Sequence, residues 1–404
     1  MNSAQIPDIF KDIRPYTQDE LPQVFEELEA DEQFQSVLGK LSPSLQQQFA
    51  QMSAALRHAG GTISNLEVQK HLIYPVVKDI LVRLANGYEL VVPQAFDRQT
   101  PHTFITNHRD IVLDSAFLSC MLVENGFPTT VEIAIGDNLL IYPWIKKLVR
   151  INKSFIVQRS LSMREMLRAS QTMSQYMHFA VTQKRENIWI AQREGRAKDS
   201  NDLTQDSLLK MMAMGGEGTM IDRLRQLNIT PMALSYELDP CDYLKAVEFQ
   251  LKRDIPGFVK SKNDDLVNMQ TGILGKKGHV HFEAADCINE WLDTIDASIS
   301  KTDFFPAVAQ HIDKEIHKLY CLYPANYLAA DMLCNGDAHA EHYTGADAKA
   351  FSDYVAERLS LAEDALKLHG LIPDMEFLRE RILTMYANPV FNHEKAVKSD
   401  DISS

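Results

Sequence analysis

The sequence predicts an α/β domain with a mixed, mainly parallel sheet, flanked by helical regions at both ends of the chain. Short β-type runs alternate with longer helical patterns through the middle of the 404 residues, and this alternation is typical of α/β domains. Both ends of the chain follow helical spacing instead. We therefore expect a helical region over residues 1–86, an α/β domain over 87–285 and a second helical region over 286–404.

Seven runs rich in apolar and β-branched residues predict the strands of this domain. They are Glu89–Val92, Thr103–Thr106, Val131–Ile135, Ser154–Val157, Asn187–Ala191, Thr230–Ser235 and Val280–Phe282. Helical spacing predicts helices at 111–124, 138–149, 162–183 and 203–227. Before the first strand, a helical pattern over 68–84 stops at Asn86-Gly87. The stretch from Lys252 to Asp265, rich in Lys, Asp, Pro and Gly, is predicted to be a flexible surface loop.

The composition of the chain argues against several classes of protein. The formal net charge of −14 argues against a nucleic-acid-binding protein, because binding to phosphate backbones draws on a basic surface. The five cysteines are widely separated and form no Cys-x-x-Cys pair, so we expect reduced thiols and neither disulfides nor a zinc site. Residues 1–8 show no leader pattern, and no apolar run reaches the roughly 18 residues that span a bilayer. The sequence therefore predicts a cytoplasmic protein whose membrane contact, if any, is peripheral.

The stretch from Thr103 to Leu118 carries the residues best suited to catalysis. His108 directly follows a predicted strand, and Asp110 and Asp114 lie at the start of an apolar helical pattern. A histidine can accept a hydroxyl proton near neutral pH, and a carboxylate that accepts its other ring N–H holds the imidazole in one tautomer. The order of strand, histidine, carboxylate and helix therefore predicts a proton-abstracting site.

A second region, residues 144–168, is basic within an acidic chain. It contains seven Lys and Arg residues against the single acidic Glu165. Such a concentration of positive charge would attract phosphorylated substrates and anionic lipid headgroups. Two interpretations of its first part stay open, namely an interfacial segment that binds an anionic membrane surface and the core of an ordinary helix. The side chains in question begin just before this region, and they are Tyr142, Trp144, Ile145, Lys146, Lys147, Leu148, Val149, Arg150 and Lys153.

Four segments of the middle region resemble, in order and spacing, the four sequence blocks of the glycerolphosphate acyltransferase family. They are Asn107-His-Arg-Asp-Ile-Val-Leu-Asp114, Lys153-Ser-Phe-Ile-Val-Gln-Arg159, Trp189-Ile-Ala-Gln-Arg-Glu-Gly-Arg196 and Ile229-Thr-Pro-Met-Ala-Leu-Ser-Tyr236. The stretch that begins at Gly136 also resembles the glycerol-3-phosphate branch of the family. The resemblance covers about residues 90–285. It implies an α/β enzyme that acylates glycerol-3-phosphate, dihydroxyacetone phosphate or lysophosphatidate.

The resemblance also implies a role for each matching residue. His108 would be the base with Asp114 as its partner, and Pro231 would shape the strand entry and the acyl-binding wall. A clamp for the acceptor phosphate would come from Arg159, Arg193, Arg196 and Lys198. Glu194 and Gly195 would form the turn at this substrate-binding site, where Glu194 accepts backbone N–H groups or pairs with a neighbouring arginine. The donor would be acyl-CoA or acyl-carrier protein, and the acceptor a phosphorylated glycerol or a lysophospholipid. The implied chemistry needs no metal, no cofactor and no covalent acyl-enzyme.

The sequence departs from the family pattern at three points. The family has four residues between the histidine and its aspartate, but position 113 is Leu, so the partner is either Asp110 or Asp114. We favour Asp114, because the apolar run after it matches the family, and Asp110 would then cap the following helix. In the second block Gln158 replaces the first of two arginines, and in the third block Ala191–Arg196 lacks the usual Pro and one spacer residue.

Other classes of protein fit these residues less well. His108-Arg-Asp110 occurs in the kinase catalytic loop, but position 115 is Ser where a kinase has Asn, and no Gly-x-Ser-x-Gly indicates a serine hydrolase. Two alternatives stay open: a lysophosphatidate acyltransferase, and a non-catalytic protein of the same fold that binds lipid or acyl-carrier protein. If the chain is an enzyme, His108, Asp114 and the arginines should converge on one cleft.

Overall fold

A computed structural model of the chain describes residues 5–41, 43–60, 62–159 and 161–401. Residues 1–4, the first half of the segment in which a leader pattern was sought, lie outside the described residues. Within the described part, no helix has both the length and the apolar character that crossing a bilayer requires.

Over the described residues, seven strands form one sheet in the order β1-β7-β6-β2-β5-β3-β4. The strands are β1 Ala85–Val91, β2 Thr103–Thr106, β3 Val131–Gly136, β4 Ser154–Val157, β5 Asn187–Ala191, β6 Ile229–Tyr236 and β7 Gly278–Ala284. β6 and β7 are antiparallel, and the other neighbouring pairs are parallel. The mixed, mainly parallel sheet is therefore confirmed, and each predicted run overlaps an observed strand.

The directions of the strands define one functional edge of the sheet. β2, β3, β4, β5 and β6 all run the same way, so their carboxyl ends meet at one edge. Every residue of β2 and β6 is buried, as expected for central strands covered by helices on both faces. In open α/β sheets, ligands bind at the carboxyl edge of the strands, so the loops after these strands hold the candidate site.

Helices flank the sheet and form both ends of the chain. Those before the sheet are α1 Leu21–Glu29, α2 Glu32–Leu41, α3 Pro43–Ala59, α4 Asn65–Val68 and α5 Tyr74–Leu84, with a π-helical turn Gln69–Ile73 between the last two. Those between strands are α6 Leu113–Glu124, α7 Pro143–Ile151, α8 Met163–Phe179, α9 Asp206–Met212, α10 Met220–Arg225, α11 Asp242–Asp254 and α12 Lys262–Leu274. Those after the sheet are α13 Asn289–Leu292, α14 Lys301–Lys318, α15 Pro324–Cys334, α16 Gly345–Leu368 and α17 Met375–Asp401.

The helix predicted over 203–227 is interrupted. It forms α9 and α10, separated by a turn that contains Gly215. A Cβ at position 215 would overlap the backbone of Gln175 in α8, so only glycine allows this close approach of the two backbones. The interruption therefore arises from packing against α8, which the local helical pattern does not reveal.

The loop predicted over 252–265 is shorter than expected, because α11 continues to Asp254 and α12 begins at Lys262, which leaves a loop over 255–261. The helical pattern over 68–84 ends as predicted, since α5 ends at Leu84, and Asn86 and Gly87 belong to β1, which begins before the predicted Glu89. A Cβ on Gly87 would lie 2.9 Å from the His279 ring in β7, so glycine allows the two strands to pair closely here.

Hydrophobic clusters cover both faces of the sheet, because successive side chains of a strand point to opposite faces. Phe104 packs in the cluster formed with α5 and α6, and Ile105 packs in the cluster formed with α8, α9 and α14. The second cluster also contains Phe10 and Ile13 from the N-terminal segment. The carbonyl of Ile13 accepts a hydrogen bond from the N–H of Ile156 in β4, at 2.9 Å. Both ends of the chain thus contribute to the core beneath the sheet.

Helix α7 contains most of the side chains for which an interfacial role stayed open. Trp144 packs against Phe34 of α2 with ring centroids 5.8 Å apart, and Leu148 and Trp144 join the N-terminal hydrophobic cluster. Lys147 pairs with Glu27 of α1 at 3.0 Å. Arg150 is buried and donates to two backbone carbonyls. These contacts are those of a helix packed into the core, which is the second of the two interpretations.

Candidate active site

The site begins at the carboxyl end of β2. Asn107 is fully buried, and its side chain exchanges two hydrogen bonds with the backbone of Leu234 in β6. Its Nδ2 donates to the Leu234 carbonyl at 2.8 Å, and its Oδ1 accepts from the Leu234 N–H at 2.7 Å. The amide side chain therefore continues the sheet pairing past the end of β2 and fixes the backbone just before His108.

His108 and Asp114 are in direct contact. Nδ1 of His108 lies 2.7 Å from Oδ2 of Asp114, which is fully buried in the first turn of α6. The same oxygen accepts the backbone N–H of Arg109 at 2.7 Å, and Oδ1 accepts the backbone N–H of Asp110 at 3.1 Å. Since an ionised carboxylate only accepts hydrogen bonds, the proton of the neutral ring is on Nδ1. The structure thus places Asp114, and not Asp110, against the histidine.

The other ring nitrogen of His108 faces an accessible space. Among the described residues, no group is hydrogen bonded to Nε2, and the side chain is 13% exposed. The ring lies edge-on to Trp189 of β5, with centroids 5.4 Å apart, and Nε1 of Trp189 donates to Thr106 Oγ1 at 3.1 Å. The imidazole is therefore held on two sides, and its unprotonated nitrogen can accept a proton from a bound hydroxyl group.

Asp110 contacts the start of α6 and the backbone of α12. Its Oδ1 accepts the backbone N–H groups of Val112 and Leu113, each at 2.9 Å, where α6 begins two residues later than predicted. Burial raises the pKa of Asp110, with a further contribution from Asp114, while Arg196 opposes the shift. A Cβ on Gly272 of α12 would overlap Oδ2 of Asp110, so the backbone of α12 packs directly on this carboxylate.

Arg159 and Glu194 form one part of the predicted phosphate clamp. Arg159, after β4, pairs with Glu194, after β5, at 3.0 Å between Nη1 and Oε1. The guanidinium lies against Gly136 at the end of β3, where a Cβ would come within 3.1 Å of Cζ. Gly195 turns the chain with a φ of +68°, which glycine adopts without strain. Glu194 is well exposed and Arg159 is partly exposed, so a phosphate could reach the guanidinium by displacing Glu194.

Arg196 and Lys198 form a second part, beyond the Gly195 turn. Arg196 is 7% exposed and donates to Asn268 Oδ1 of α12 at 3.0 Å. Lys198 pairs with Glu248 of α11 at 3.2 Å, and burial, with Arg196 next in importance, lowers its pKa to about 8. Arg196 and Lys198 thus have partners in α11 and α12 and do not share the partner of Arg159.

Arg193 and Pro231 complete the predicted set. The Nε of Arg193 is buried without a hydrogen-bond partner in the described part of the chain. Pro231 lies inside β6 opposite Ile105 of β2, and its carbonyl accepts the N–H of Ala285 at 2.8 Å. It is therefore a buried residue of the sheet and not part of a site loop.

Several residues that support the site were not found from the sequence. Arg109 forms a buried ion pair with Asp202 at 2.7 Å, although 93 positions separate the two. His317 of α14 donates to the Asp202 carbonyl at 3.1 Å. Oδ1 of Asp313, one turn earlier in α14, accepts hydrogen bonds from Gln192 Nε2 and from the N–H and Oγ1 of Thr204. Helix α14 thus holds the loop after β5, a contact between distant segments that no local motif signals.

Part of the chain matches a known protein family. Residues 89–235 match the family model described as Acyltransferase, which confirms the family that the four segments resemble. A crystal structure of the 1-acyl-sn-glycerophosphate (LPA) acyltransferase PlsC from Thermotoga maritima is 12% identical, with a TM-score of 0.33, and the match covers 62% of this chain and 80% of that chain. No curated protein sequence matches this chain.

Proposed function

Because residues 89–235 belong to the acyltransferase family, we propose that this chain moves a fatty acyl group from a thioester to the hydroxyl of a phosphorylated glycerol in phospholipid biosynthesis. The donor is acyl-CoA or acyl-carrier protein, and the acceptor is glycerol-3-phosphate or a related (lyso)phospholipid. The observation that supports this most directly is the 2.7 Å contact of His108 with Asp114, which leaves Nε2 of the histidine unprotonated and accessible.

In the proposed reaction, Nε2 of His108 takes the proton of the acceptor hydroxyl as its oxygen attacks the thioester carbonyl. Asp114 keeps the ring oriented and stabilises the imidazolium that forms. When the tetrahedral intermediate collapses, the C–S bond breaks and the thiolate leaves, taking the proton from Nε2. The acyl group is then esterified to the acceptor, His108 is neutral again, and no covalent acyl-enzyme forms.

The two groups of cations have different proposed roles. Within the described residues, Arg159 forms an ion pair only with the exposed Glu194, so the acceptor phosphate can replace that partner at a small cost in free energy. The planar guanidinium of Arg159 also matches phosphate oxygens. Arg193 directly precedes Glu194 in the sequence and has an unpartnered Nε among the described residues. Arg196 is buried against Asn268, which suits it to bracing the Gly195 turn. We therefore assign phosphate contact to Arg159 and Arg193, and support of the loop to Arg196.

A peripheral contact with an anionic membrane surface is also part of the proposal, at a different place from the one expected. The first turns of α8, which follow β4 at the functional edge, expose Met166 and Leu167. Arg164 and Arg168 flank them, are exposed, and have no ion pair within the described residues. Exposed apolar side chains between free cations are the composition of a surface that enters the headgroup region of an anionic bilayer.

The direct test is an acyl-transfer assay of the purified chain. A labelled long-chain acyl-CoA and the corresponding acyl-carrier protein would each be offered with glycerol-3-phosphate, lysophosphatidate and dihydroxyacetone phosphate. Transfer to one of these acceptors, lost in His108→Ala, would support the proposal and name the substrates. If a folded protein binds the acyl donor but transfers nothing to any acceptor, the non-catalytic alternative replaces it.

A further inference from the structure

Tyr236 is the last residue of β6 and lies one position beyond the family match. Its hydroxyl donates to Oδ1 of Asp114 at 2.8 Å, across 122 positions of sequence. Within the described residues, the Asp114 carboxylate accepts four hydrogen bonds: those from the backbone of Arg109 and Asp110, and those from the side chains of His108 and Tyr236. Tyr236 is therefore the side chain that binds the oxygen of Asp114 facing away from the histidine.

The phenol of Tyr236 is held firmly by its surroundings. The side chain is buried, and its ring stacks on Phe282 of β7 with centroids 6.3 Å apart and planes within 10°. The ring of Phe117 in α6 is also close, with its centroid 6.3 Å from that of Tyr236. Burial, with Asp114 next in importance, raises the pKa of Tyr236 well above its usual value, so the hydroxyl keeps its proton. The sheet and α6 thus fix the position of a permanent donor.

We propose that Tyr236 is a positioning residue for the acyl transfer, acting on His108 through Asp114. A carboxylate can rotate about its Cβ–Cγ bond, and the backbone N–H groups of Arg109 and Asp110 move with the same loop that carries His108. Tyr236 comes from the sheet, so its bond ties the carboxylate to a rigid element and keeps Oδ2 directed at Nδ1. The inference rests on the proposed function, because it assumes that His108 is the base.

The hydrogen bond from Tyr236 to Asp114 also affects the electrostatic environment of His108. A donor on Oδ1 draws part of the negative charge of Asp114 away from Oδ2. Without that donor, more of the carboxylate's negative charge would face Nδ1 and would favour the protonated ring. The acidic limb of the pH–rate profile should then move to higher pH, an effect that general loosening of the fold would not produce.

The test is Tyr236→Phe, which keeps the ring and removes the hydroxyl. We expect kcat to fall about 10- to 100-fold, the range for losing a hydrogen bond to a charged group. The Michaelis constants for both substrates should change little, and the acidic limb should move upward. The matched control is Tyr354→Phe, which removes a phenol donor from the buried carboxylate of Asp242 and, within the described residues, has no hydrogen bond to His108 or Asp114. That variant should keep the kcat and the pH profile of the unaltered chain.

A double-mutant cycle with Asp114→Asn tests the route of the effect even if Tyr236→Phe is less stable. If Tyr236 acts through Asp114, removing its hydroxyl should have little further effect on kcat in the Asp114→Asn background. Independent, multiplicative losses would overturn the inference, as would an unchanged kcat and pH profile in folded Tyr236→Phe. Because His108→Ala tests the reaction separately, an inactive His108→Ala with a fully active Tyr236→Phe would reject only this inference.

Discussion

Nδ1 of His108 and Oδ2 of Asp114 lie 2.7 Å apart, although one residue belongs to the loop after β2 and the other to the first turn of α6. The loop between them supplies two N–H donors to the same carboxylate, from Arg109 and Asp110. The pair is thus built by a short loop folded around one buried carboxylate, and this arrangement leads to the first two predictions.

Replacing His108 by alanine should lower turnover by roughly 100-fold or more, since general-base catalysis contributes about 10² to 10⁴ in rate. The side chain is mostly buried but makes a single hydrogen bond within the described residues, so the fold should persist. Steady-state kinetics together with a thermal unfolding curve would check this. A folded variant with full activity would show that another group takes the proton.

Asp114→Asn should reduce turnover far more than Asp110→Asn. Both oxygens of Asp114 accept hydrogen bonds, one from His108 and the Arg109 N–H, the other from Tyr236 and the Asp110 N–H. Asparagine replaces one of these oxygens by an NH₂ group, which would face two donors and could accept from neither. Asparagine at position 110 can keep Oδ1 as acceptor for Val112 and Leu113. Comparing kcat of the two variants identifies the aspartate that acts with His108, and the opposite ranking would assign that role to Asp110.

Arg159→Ala should raise the Michaelis constant for a phosphorylated acceptor more than that for the acyl donor, because the guanidinium is assigned to the phosphate. Arg379→Ala, which removes an exposed arginine of α17 with no ion pair in the described residues, is the control. Arg196→Ala should differ from both by lowering stability, since Arg196 is buried and bonded to Asn268. An unchanged acceptor constant in Arg159→Ala would place the phosphate elsewhere.

Asp313→Asn should stabilise the protein at neutral pH. Burial raises the pKa of Asp313 to about 6, so the folded state keeps a proton that the unfolded state releases near pH 4, and stability falls as pH rises between these values. Asparagine does not titrate, and because all three donors bind Oδ1, its carbonyl can keep them. We expect a gain of about 1–2 kcal/mol at pH 8 that shrinks toward pH 5, measured by denaturant unfolding.

The alanine variant separates the charge of Asp313 from its hydrogen bonds. Asp313→Ala also removes the titrating group, but it leaves Gln192 and Thr204 without their acceptor, so it should be less stable than Asp313→Asn at every pH. If the asparagine variant were no more stable than the unaltered chain at pH 8, burial of the ionised Asp313 carboxylate would not destabilise the folded state.

Co-sedimentation with liposomes should show binding to anionic vesicles that weakens with salt, because the attraction of surface charges is screened over about 10 Å. Arg164→Glu with Arg168→Glu, and separately Leu167→Ser, should reduce it. Val82→Ser is a close control, since Val82 is 62% exposed and Leu167 is 63% exposed. Lys147→Glu should leave binding unchanged, because Lys147 already pairs with Glu27. Absence of binding to any vesicle would favour an enzyme supplied by a soluble carrier.

Local patterns predicted the sheet well and the element ends less well. Strands such as Thr103–Thr106 stand out because buried parallel strands are runs of apolar and β-branched residues. The break at Gly215 and the pairing at Gly87 depend on the approach of another backbone, which is invisible along the chain. The polar stretch around Asp254 belongs to solvent-facing helix ends, whose composition resembles that of a loop.

In the candidate site, too, the contacts within one loop were predictable from the sequence and the contacts between distant segments were not. His108 and Asp114 are six positions apart, so one loop brings them together and their sequence pattern reveals the pair. The contacts of Tyr236 with Asp114 and of Arg109 with Asp202 join distant segments, and each residue alone is unremarkable in the sequence. The separate partners of Arg159 and Arg196 depend on the turn at Gly195, whose direction the sequence does not specify.

The N-terminal segment that joins the edge of the sheet bears on how the chain can be divided for experiments. An expression fragment covering only residues 87–285 would lose the Ile13 carbonyl that pairs with β4, together with Phe10 and the buried face of α14. It would expose an unpaired strand edge and apolar core surface, both of which promote aggregation. Insolubility of such a fragment would therefore reflect the missing ends and would say nothing about whether the acyltransferase fold assignment is correct.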